Sequence, residues 1–369
     1  MGDPSNPLRT LRTLGQSVWF DNIHRGMIDS GELERMIRDD DLAGITSNPS
    51  IFEKAIAGSG EYDAAIRGHL QTDPSLSPRE LFVRLAIEDI QGAADRLRPV
   101  YDASAGIDGM VSLEVSPDLA HDTAGTVEEA LDLHRRLQRP NVMIKVPATK
   151  EGVPAFEELT ARGLNVNVTL LFSVDRYLDI ARAYVRALER RRSEGLDVGG
   201  IASVASFFVS RVDSALDPLL ETRGATELMG CLAIANAKLA YLRSGEVFGA
   251  DFADLRSAGA APQRLLWAST STKNPNYSDV LYVDSLVGPS TVNTIPPDTY
   301  RAYKDHGTPC LTLAEDVDEA VARLASLEKL GIHLVDVTDQ LEREGVAAFA
   351  KAFDTLIEAL KSKTAAIAA

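Results

Sequence analysis

Short runs in which apolar and polar residues alternate recur along the chain, separated by longer stretches with helical spacing. LNVNVTLLF (164–172) is the clearest. Asn165, Asn167 and Thr169 fall on one face of an extended strand, and Val166, Val168 and Leu170 on the other, because successive side chains point to opposite sides. In GMVSLEVS (109–116), Ser112, Glu114 and Ser116 oppose Val111, Leu113 and Val115 in the same way. In RLLWASTST (264–272) and the lysine that follows it, Ser269, Ser271 and Lys273 oppose Leu266 and Ala268. Further β-rich runs are SVWFDNI (17–23), GITSNPS (44–50), NVMIKVPA (141–148), IASVASFFV (201–209) and VLYVDSLV (280–287), which completes a set of eight.

Helical patterns separate most of these runs. Ser77-Pro78-Arg79-Glu80 combines an N-cap, a first-turn proline and a capping-box glutamate, ahead of a stripe made by Leu81, Leu85, Ile90, Ala94 and Leu97. Thr126-Val127-Glu128-Glu129 reads as a second capping box. Residues 174–192 and 317–330 read as amphipathic helices, the latter stopped by Gly331. A long pattern from about 337 to 361 reads as a terminal helix. Strands alternating with helices imply a parallel sheet. One face of each strand is apolar enough to pack on helices, while the other turns polar towards the strand end. That is the habit of barrel strands whose C-terminal ends line a site. The prediction is a single (β/α)₈ barrel over residues 1–369, with segment 1–14 and the terminal helix packed on it.

Composition narrows the function. A length of 369 residues with 45% hydrophobic and 25% charged residues suits a globular protein with a large core. The net charge of −16 argues against nucleic acid and anionic membranes as partners, but a small anionic substrate needs only a few local cations. The two cysteines, Cys231 and Cys310, form neither a disulfide framework nor a metal motif, as in a reducing compartment. The start of the chain has no apolar signal core, and no stretch approaches 18 apolar residues, so a cytoplasmic location is expected. The six histidines lack ligand spacing, and no metal site is expected.

Lys145, inside the apolar run NVMIKVPA, is the sharpest chemical feature. It is either a buried ion-pair member or an amine held ready to attack a carbonyl. A lysine of ordinary pKa is only about 0.04% neutral at pH 7, so a nucleophilic one needs surroundings that disfavour the ammonium. Glu114 poses the same choice between pairing and chemistry, because a buried carboxylate is costly otherwise. Asp21 in WFDNI could cap a helix, and Asn48 in TSNPS could be a turn residue. Asn167 and Thr169 could be satisfied core polars. Together, however, these residues gather at the ends of five strands. No phosphate-loop signature is present; Arg211 after SFFVS, and Lys273 with Ser271, are isolated candidates for an anion.

The segments WFDNI, GITSNPSIF, VSLEVSP, MIKVPAT, NVNVTLLFS, SFFVSRVD and STKNPNYSDVLYVDSLVGPSTVNTIPP resemble, in order, the motifs of the transaldolase family, and its longer bacterial subgroup in particular. The resemblance spans about residues 17–300. It implies a class I aldolase barrel with its lysine on the fourth strand, where the strand count also puts Lys145. It implies transfer of a dihydroxyacetone unit from sedoheptulose 7-phosphate to glyceraldehyde 3-phosphate, giving erythrose 4-phosphate and fructose 6-phosphate, with neither cofactor nor metal. By the same resemblance Lys145 is the Schiff-base lysine and Asp21 the acid/base at the donor's C4 hydroxyl. Glu114 and Thr169 hold a catalytic water. Asn48 and Asn167 bind the dihydroxyacetone hydroxyls, Ser206 contacts the C1 hydroxyl and Phe208 walls the pocket. Arg211, Ser271 and Lys273 take the phosphate. Many members of the family have arginine in place of Lys273, and a lysine keeps the charge without the bidentate fork.

Two other functions compete. A simple aldolase releasing free dihydroxyacetone from fructose 6-phosphate is the nearer, but relatives of that type are much shorter and use a tyrosine in the proton-transfer role that falls to Asp21. A silent barrel acting as a binding protein would have no use for Lys145, Asp21 and Glu114. The partners expected are phosphosugars, and the protein itself a monomer or homodimer.

Overall fold

In a computed structural model describing residues 6–368, eight parallel strands close into a barrel in sequence order. They are β1 (Gln16–Phe20), β2 (Gly44–Ile45), β3 (Met110–Glu114), β4 (Val142–Pro147), β5 (Val166–Leu171), β6 (Ser203–Phe208), β7 (Arg264–Ala268) and β8 (Thr291–Ile295). β1 closes on β8 from Gln16↔Thr291 to Phe20↔Ile295. The (β/α)₈ barrel is therefore as expected, with Lys145 on the fourth strand. Helices pack against the outer faces of the strands, and the apolar outward positions join one continuous core. At the closely packed β1–β2 contact, Gly44 lies opposite Trp19, and a Cβ there would stand 2.5 Å from the indole. Residues 1–5 of the amino-terminal segment and residue 369 lie outside the described residues; from Pro7 to Thr13 the segment is a helix that buries Leu8 and Leu11.

The eighth strand is not where the pattern put it. VLYVDSLV contains the short helix Leu281–Ser285, and β8 is TVNTI, ten residues further on. A short apolar run fits a buried helical turn as well as a strand. Here Val280, Val283 and Leu286 recur at spacing three, all buried. β8 ends at Pro296-Pro297, because neither proline can donate to the ladder and the second starts helix Pro297–His306.

Three local expectations also change. The second capping box is not used: Asp122 caps helix Thr123–Leu137 through the Gly125 amide, and the Thr126 hydroxyl donates to Leu119 O at 2.9 Å. β7 stops at Ala268, and Ser269 turns into the left-handed region (φ 55°), so Ser269, Ser271 and Lys273 lie in a loop and share no strand face. In β5 the register shifts between Val168 and Leu171, and Leu170 adopts φ 61°.

The first capping serine is used, with Ser77 Oγ accepting from the Glu80 amide at 3.2 Å. Helix Leu334–Ala368 crosses the carboxyl-terminal end of the barrel, packing on helices Pro49–Ala57, Pro78–Ala103 and Ser210–Arg223 and on β5. Phe349, Phe353, Leu356 and Leu360 form its buried stripe at helical spacing. Each such side chain contributes about 1.5–3 kcal/mol by leaving water. Phe353 meets Phe82 edge-on at 5.6 Å. Gly345 permits the close approach to β5, since a Cβ there would lie 2.9 Å from Leu170 Cδ2.

Candidate active site

The strand register sets the heart of the site. Glu114 pairs with Lys145 across β3 and β4, and Lys145 with Asn167 across β4 and β5, so the three residues stand at one level. Lys145 Nζ lies 3.4 Å from Glu114 Oε2, and the two side chains are only 5% and 6% exposed. The same nitrogen donates to Ser47 O at 3.1 Å and lies 5.7 Å from the centre of the Phe349 ring. Burial pushes the Glu114 carboxyl up to about 6; the neighbouring ammonium opposes that rise and the charge of Asp21 adds to it. The ion-pair reading and the nucleophile reading of Lys145 are thus compatible, since its side chain lines a cavity.

Asp21 follows β1 directly, its amide donating to Ile295 O at 3.0 Å. Thr46 donates to Asp21 Oδ1 at 2.6 Å, which leaves Thr294 to donate to Thr46, also at 2.6 Å. Burial raises the Asp21 carboxyl above its ordinary value, opposed by Lys145, the Thr46 hydrogen bond, Arg211 and Lys273. Asn48 is both N-cap and pocket residue: its Oδ1 accepts from the Ile51 amide at 3.0 Å while the side chain faces the cavity. Asn167 is fully buried, donating to Ser112 Oγ at 3.1 Å and accepting from Ser206 Oγ at 2.7 Å. Thr169 Oγ1 is buried without a hydrogen-bond partner among the described residues, and Glu114 Oε2 has only the Lys145 ammonium.

These residues surround a cavity of ≈580 Å³. Asp21, Asn48, Lys145, Thr169 and Ser206 form its floor and walls, with Phe208 beside them. Arg211, Ser271 and Lys273 also line it, while Glu114 and Asn167 stand behind the lining and reach it through their neighbours. A larger cleft of ≈1010 Å³ lies on the outer wall, between helices Val174–Ser193 and Leu232–Val247, and holds none of them.

The cavity mouth is cationic in an otherwise acidic protein. The Arg211 guanidinium sits 5.1 Å over the Phe208 ring and has no hydrogen bond or ion pair among the described residues. Burial lowers its pKa, and Asp21 partly restores it. Lys273 donates to Ser271 Oγ at 2.6 Å. Its pKa is lowered by burial and then by the charges of Arg211 and Lys54, against the pull of Asp21. Lys54, Thr46 and Phe349 are functional candidates that the sequence pattern missed. Thr46 lies two residues before Asn48 on an extended segment, so alternation could have found it. Lys54 and Phe349 reach the cavity from helices, which strand periodicity does not address. Among the described residues, no group of three or more His, Cys, Asp or Glu side chains could hold a metal ion, and no helix is long and apolar enough to cross a membrane.

Residues 18–360 match the family model described as transaldolase/fructose-6-phosphate aldolase. Similar curated proteins include Transaldolase 2 of Nostoc punctiforme, 45% identical with 97% of this chain and 98% of that protein covered. Transaldolase 1 of Streptomyces coelicolor is 48% identical, with 96% and 93% covered. The transaldolase of Saccharopolyspora erythraea is 47% identical, with 96% and 97% covered.

Proposed function

The chain belongs to the transaldolase/fructose-6-phosphate aldolase family, and from that premise we propose that it is a transaldolase whose Schiff base forms on Lys145. It transfers a dihydroxyacetone unit from sedoheptulose 7-phosphate to glyceraldehyde 3-phosphate, giving erythrose 4-phosphate and fructose 6-phosphate. The observation that carries the site assignment is Lys145 itself: an amine buried beneath a cavity, 3.4 Å from a carboxylate that titrates at about 6.

The amine must be neutral to attack the donor's C2 carbonyl, and Glu114 is the carboxylate within reach of its proton. The carbinolamine then loses its hydroxyl as water. Glu114 assists through a water shared with Thr169, a role supported by the Thr169 hydroxyl, buried without a partner among the described residues, and by the nearness of the Glu114 carboxylate to Lys145. Asp21 takes the proton of the C4 hydroxyl as the C3–C4 bond breaks. The aldose departs with its new aldehyde, and the bond's electron pair passes into the iminium, which becomes an enamine. Attack of the enamine on the acceptor aldehyde reverses these steps. Asp21 returns its proton, and water hydrolyses the new iminium. Asn48 binds the hydroxyls of the held three-carbon unit directly. Asn167 acts with Ser206, which meets the C1 hydroxyl. Phe208 walls the cavity, and Arg211, Lys273 and Ser271 hold the phosphate at its mouth.

The reading includes a cytoplasmic location, in keeping with two free cysteines, and a monomer or homodimer in solution. Borohydride reduction in the presence of fructose 6-phosphate tests it. The Lys145 peptide should gain the mass of the reduced three-carbon adduct, and Lys145→Ala should abolish the gain. Label on another residue would overturn the assignment. Release of free dihydroxyacetone at the same rate with and without acceptor would replace transfer by simple cleavage.

A further inference from the structure

Helix Ser210–Arg223, which opens with the pocket arginine Arg211, carries a second pair of buried acids one turn apart, Asp213 and Asp217. They are 1% and 7% exposed, and neither has a cationic partner among the described residues. All four of their oxygens are engaged instead. Asp213 accepts from the Ala233 amide at 2.7 Å and from the Tyr282 hydroxyl at 3.0 Å. Asp217 accepts from the Gly230 amide at 3.1 Å and from the Tyr277 hydroxyl at 2.6 Å. Two buried carboxylates with no counter-charge are a costly way to join surface segments. The cost shows in Asp213, whose carboxyl is pushed up to about 7 by burial and by the charge of Asp217.

What the acids join is informative. Tyr277 and Tyr282 belong to the connection from β7 to β8, the segment that carries Ser271 and Lys273. The near end of that segment is tied to the same helix, because the Ser210 amide donates to Ser269 O at 3.1 Å and the two hydroxyls lie 3.0 Å apart. Lys273 thus sits between two ties to one rigid element, Ser210–Ser269 on one side and Asp217–Tyr277 on the other. Within the span, Thr272 donates to Ser278 O at 2.7 Å and the Tyr277 amide to Asn274 O at 3.1 Å. The Tyr277 ring lies against Gly230, where φ is +69° and a Cβ would stand 2.9 Å from the ring. Arg211 and Lys273 are like charges lining one cavity, and the Arg211 charge disfavours charge on Lys273.

We propose that Asp213 and Asp217, through Tyr282 and Tyr277, are positioning residues that hold Lys273 against the repulsion of Arg211 and so preorganise the phosphate site. The inference rests on the proposed phosphate role of Arg211 and Lys273. It predicts that the tyrosine hydroxyls act on phosphate affinity and on nothing nearer the chemistry.

Titration calorimetry with inorganic phosphate tests this without turnover, alongside KM and kcat for fructose 6-phosphate. Tyr277→Phe keeps the ring and removes the tie. It should weaken phosphate binding and raise KM by about 3–10-fold, because only part of the lost hydrogen bond to a charged acceptor is felt at the phosphate, with a smaller change in kcat. Asp217→Asn, which still offers an acceptor, should lose less than Asp217→Ala. In a Lys273→Ala background, Tyr277→Phe should have no further effect on phosphate affinity, because the group it positions is gone. Equal losses in both backgrounds, or unchanged phosphate binding with a lowered melting temperature, would make the clamp merely structural. A wild type that binds no phosphate would overturn the inference too, while borohydride trapping decides the Lys145 reading separately.

Discussion

Replacing Lys145 by methionine should leave Glu114 a lone carboxylate in a buried place, at a cost that depends on pH. The two groups stand 3.4 Å apart and almost wholly out of water. At an effective dielectric constant near 20, unit charges at that spacing attract by roughly 5 kcal/mol, much of which offsets desolvation. Even in the intact pair, Glu114 titrates at about 6 rather than its ordinary 4.5. Its folded pKa lies above its unfolded one, so its contribution to stability is full below the unfolded value and is lost as pH rises through about 6. Without the ammonium the folded pKa climbs further, and each unit costs about 1.4 kcal/mol once pH exceeds both values. Near pH 5 both proteins carry a largely neutral Glu114 and should differ only by a constant offset. Near pH 8 the variant should fall behind by roughly a further 2–3 kcal/mol. Urea unfolding across that range reads the difference directly. Adding Glu114→Gln to the methionine variant should flatten the gap. A gap of the same size at both pH values would refute the coupling and with it the electrostatic account of the pair.

Asp21→Ala should still trap the borohydride adduct but fail at bond cleavage, whereas Glu114→Ala should slow trapping itself; rate losses of roughly 10²–10⁴ are expected for each. Rapid-quench trapping beside a coupled erythrose 4-phosphate assay separates the two, and equal trapping rates would show that the roles are misassigned. Lys273→Ala should lower kcat/KM for phosphorylated donors by about 2–4 kcal/mol, mainly through KM. An equal loss with unphosphorylated fructose would remove the phosphate assignment. Gly345→Val should push helix Leu334–Ala368 off Leu170 and cost about 1–3 kcal/mol of stability by overpacking, read from thermal unfolding.

The barrel was legible wherever a strand alternated cleanly, as LNVNVTLLF did even though Leu170 departs from the ladder. β8 was missed because TVNTI is short and polar, its Asn293 turned to Thr270 inside the barrel, while the more apolar VLYVDSLV nearby imitated a strand. Lys145 and Glu114 could be placed on neighbouring strands from sequence, but their contact depends on register, which pairing alone fixes. For Ser271 and Lys273 the strand alternation does not apply. They line the cavity as loop residues held by Ser210 and Tyr277, with no strand to alternate along. Lys54 and Phe349 left no trace in strand periodicity, because each arrives on a helix whose packing across the barrel mouth is a tertiary fact.

The crossing helix also bears on when the protein becomes competent during its own synthesis. Lys145 is roofed by Phe349, which lies far downstream in the chain. At ribosomal rates the separation takes roughly 10–40 s to translate. Within that interval β8 must emerge before β1 has its second neighbour. Only afterwards can Phe349, Phe353 and Leu356 settle over the strand ends. A nascent chain therefore carries Lys145 for many seconds without its Phe349 roof. Lys145 is thus made early and enclosed last.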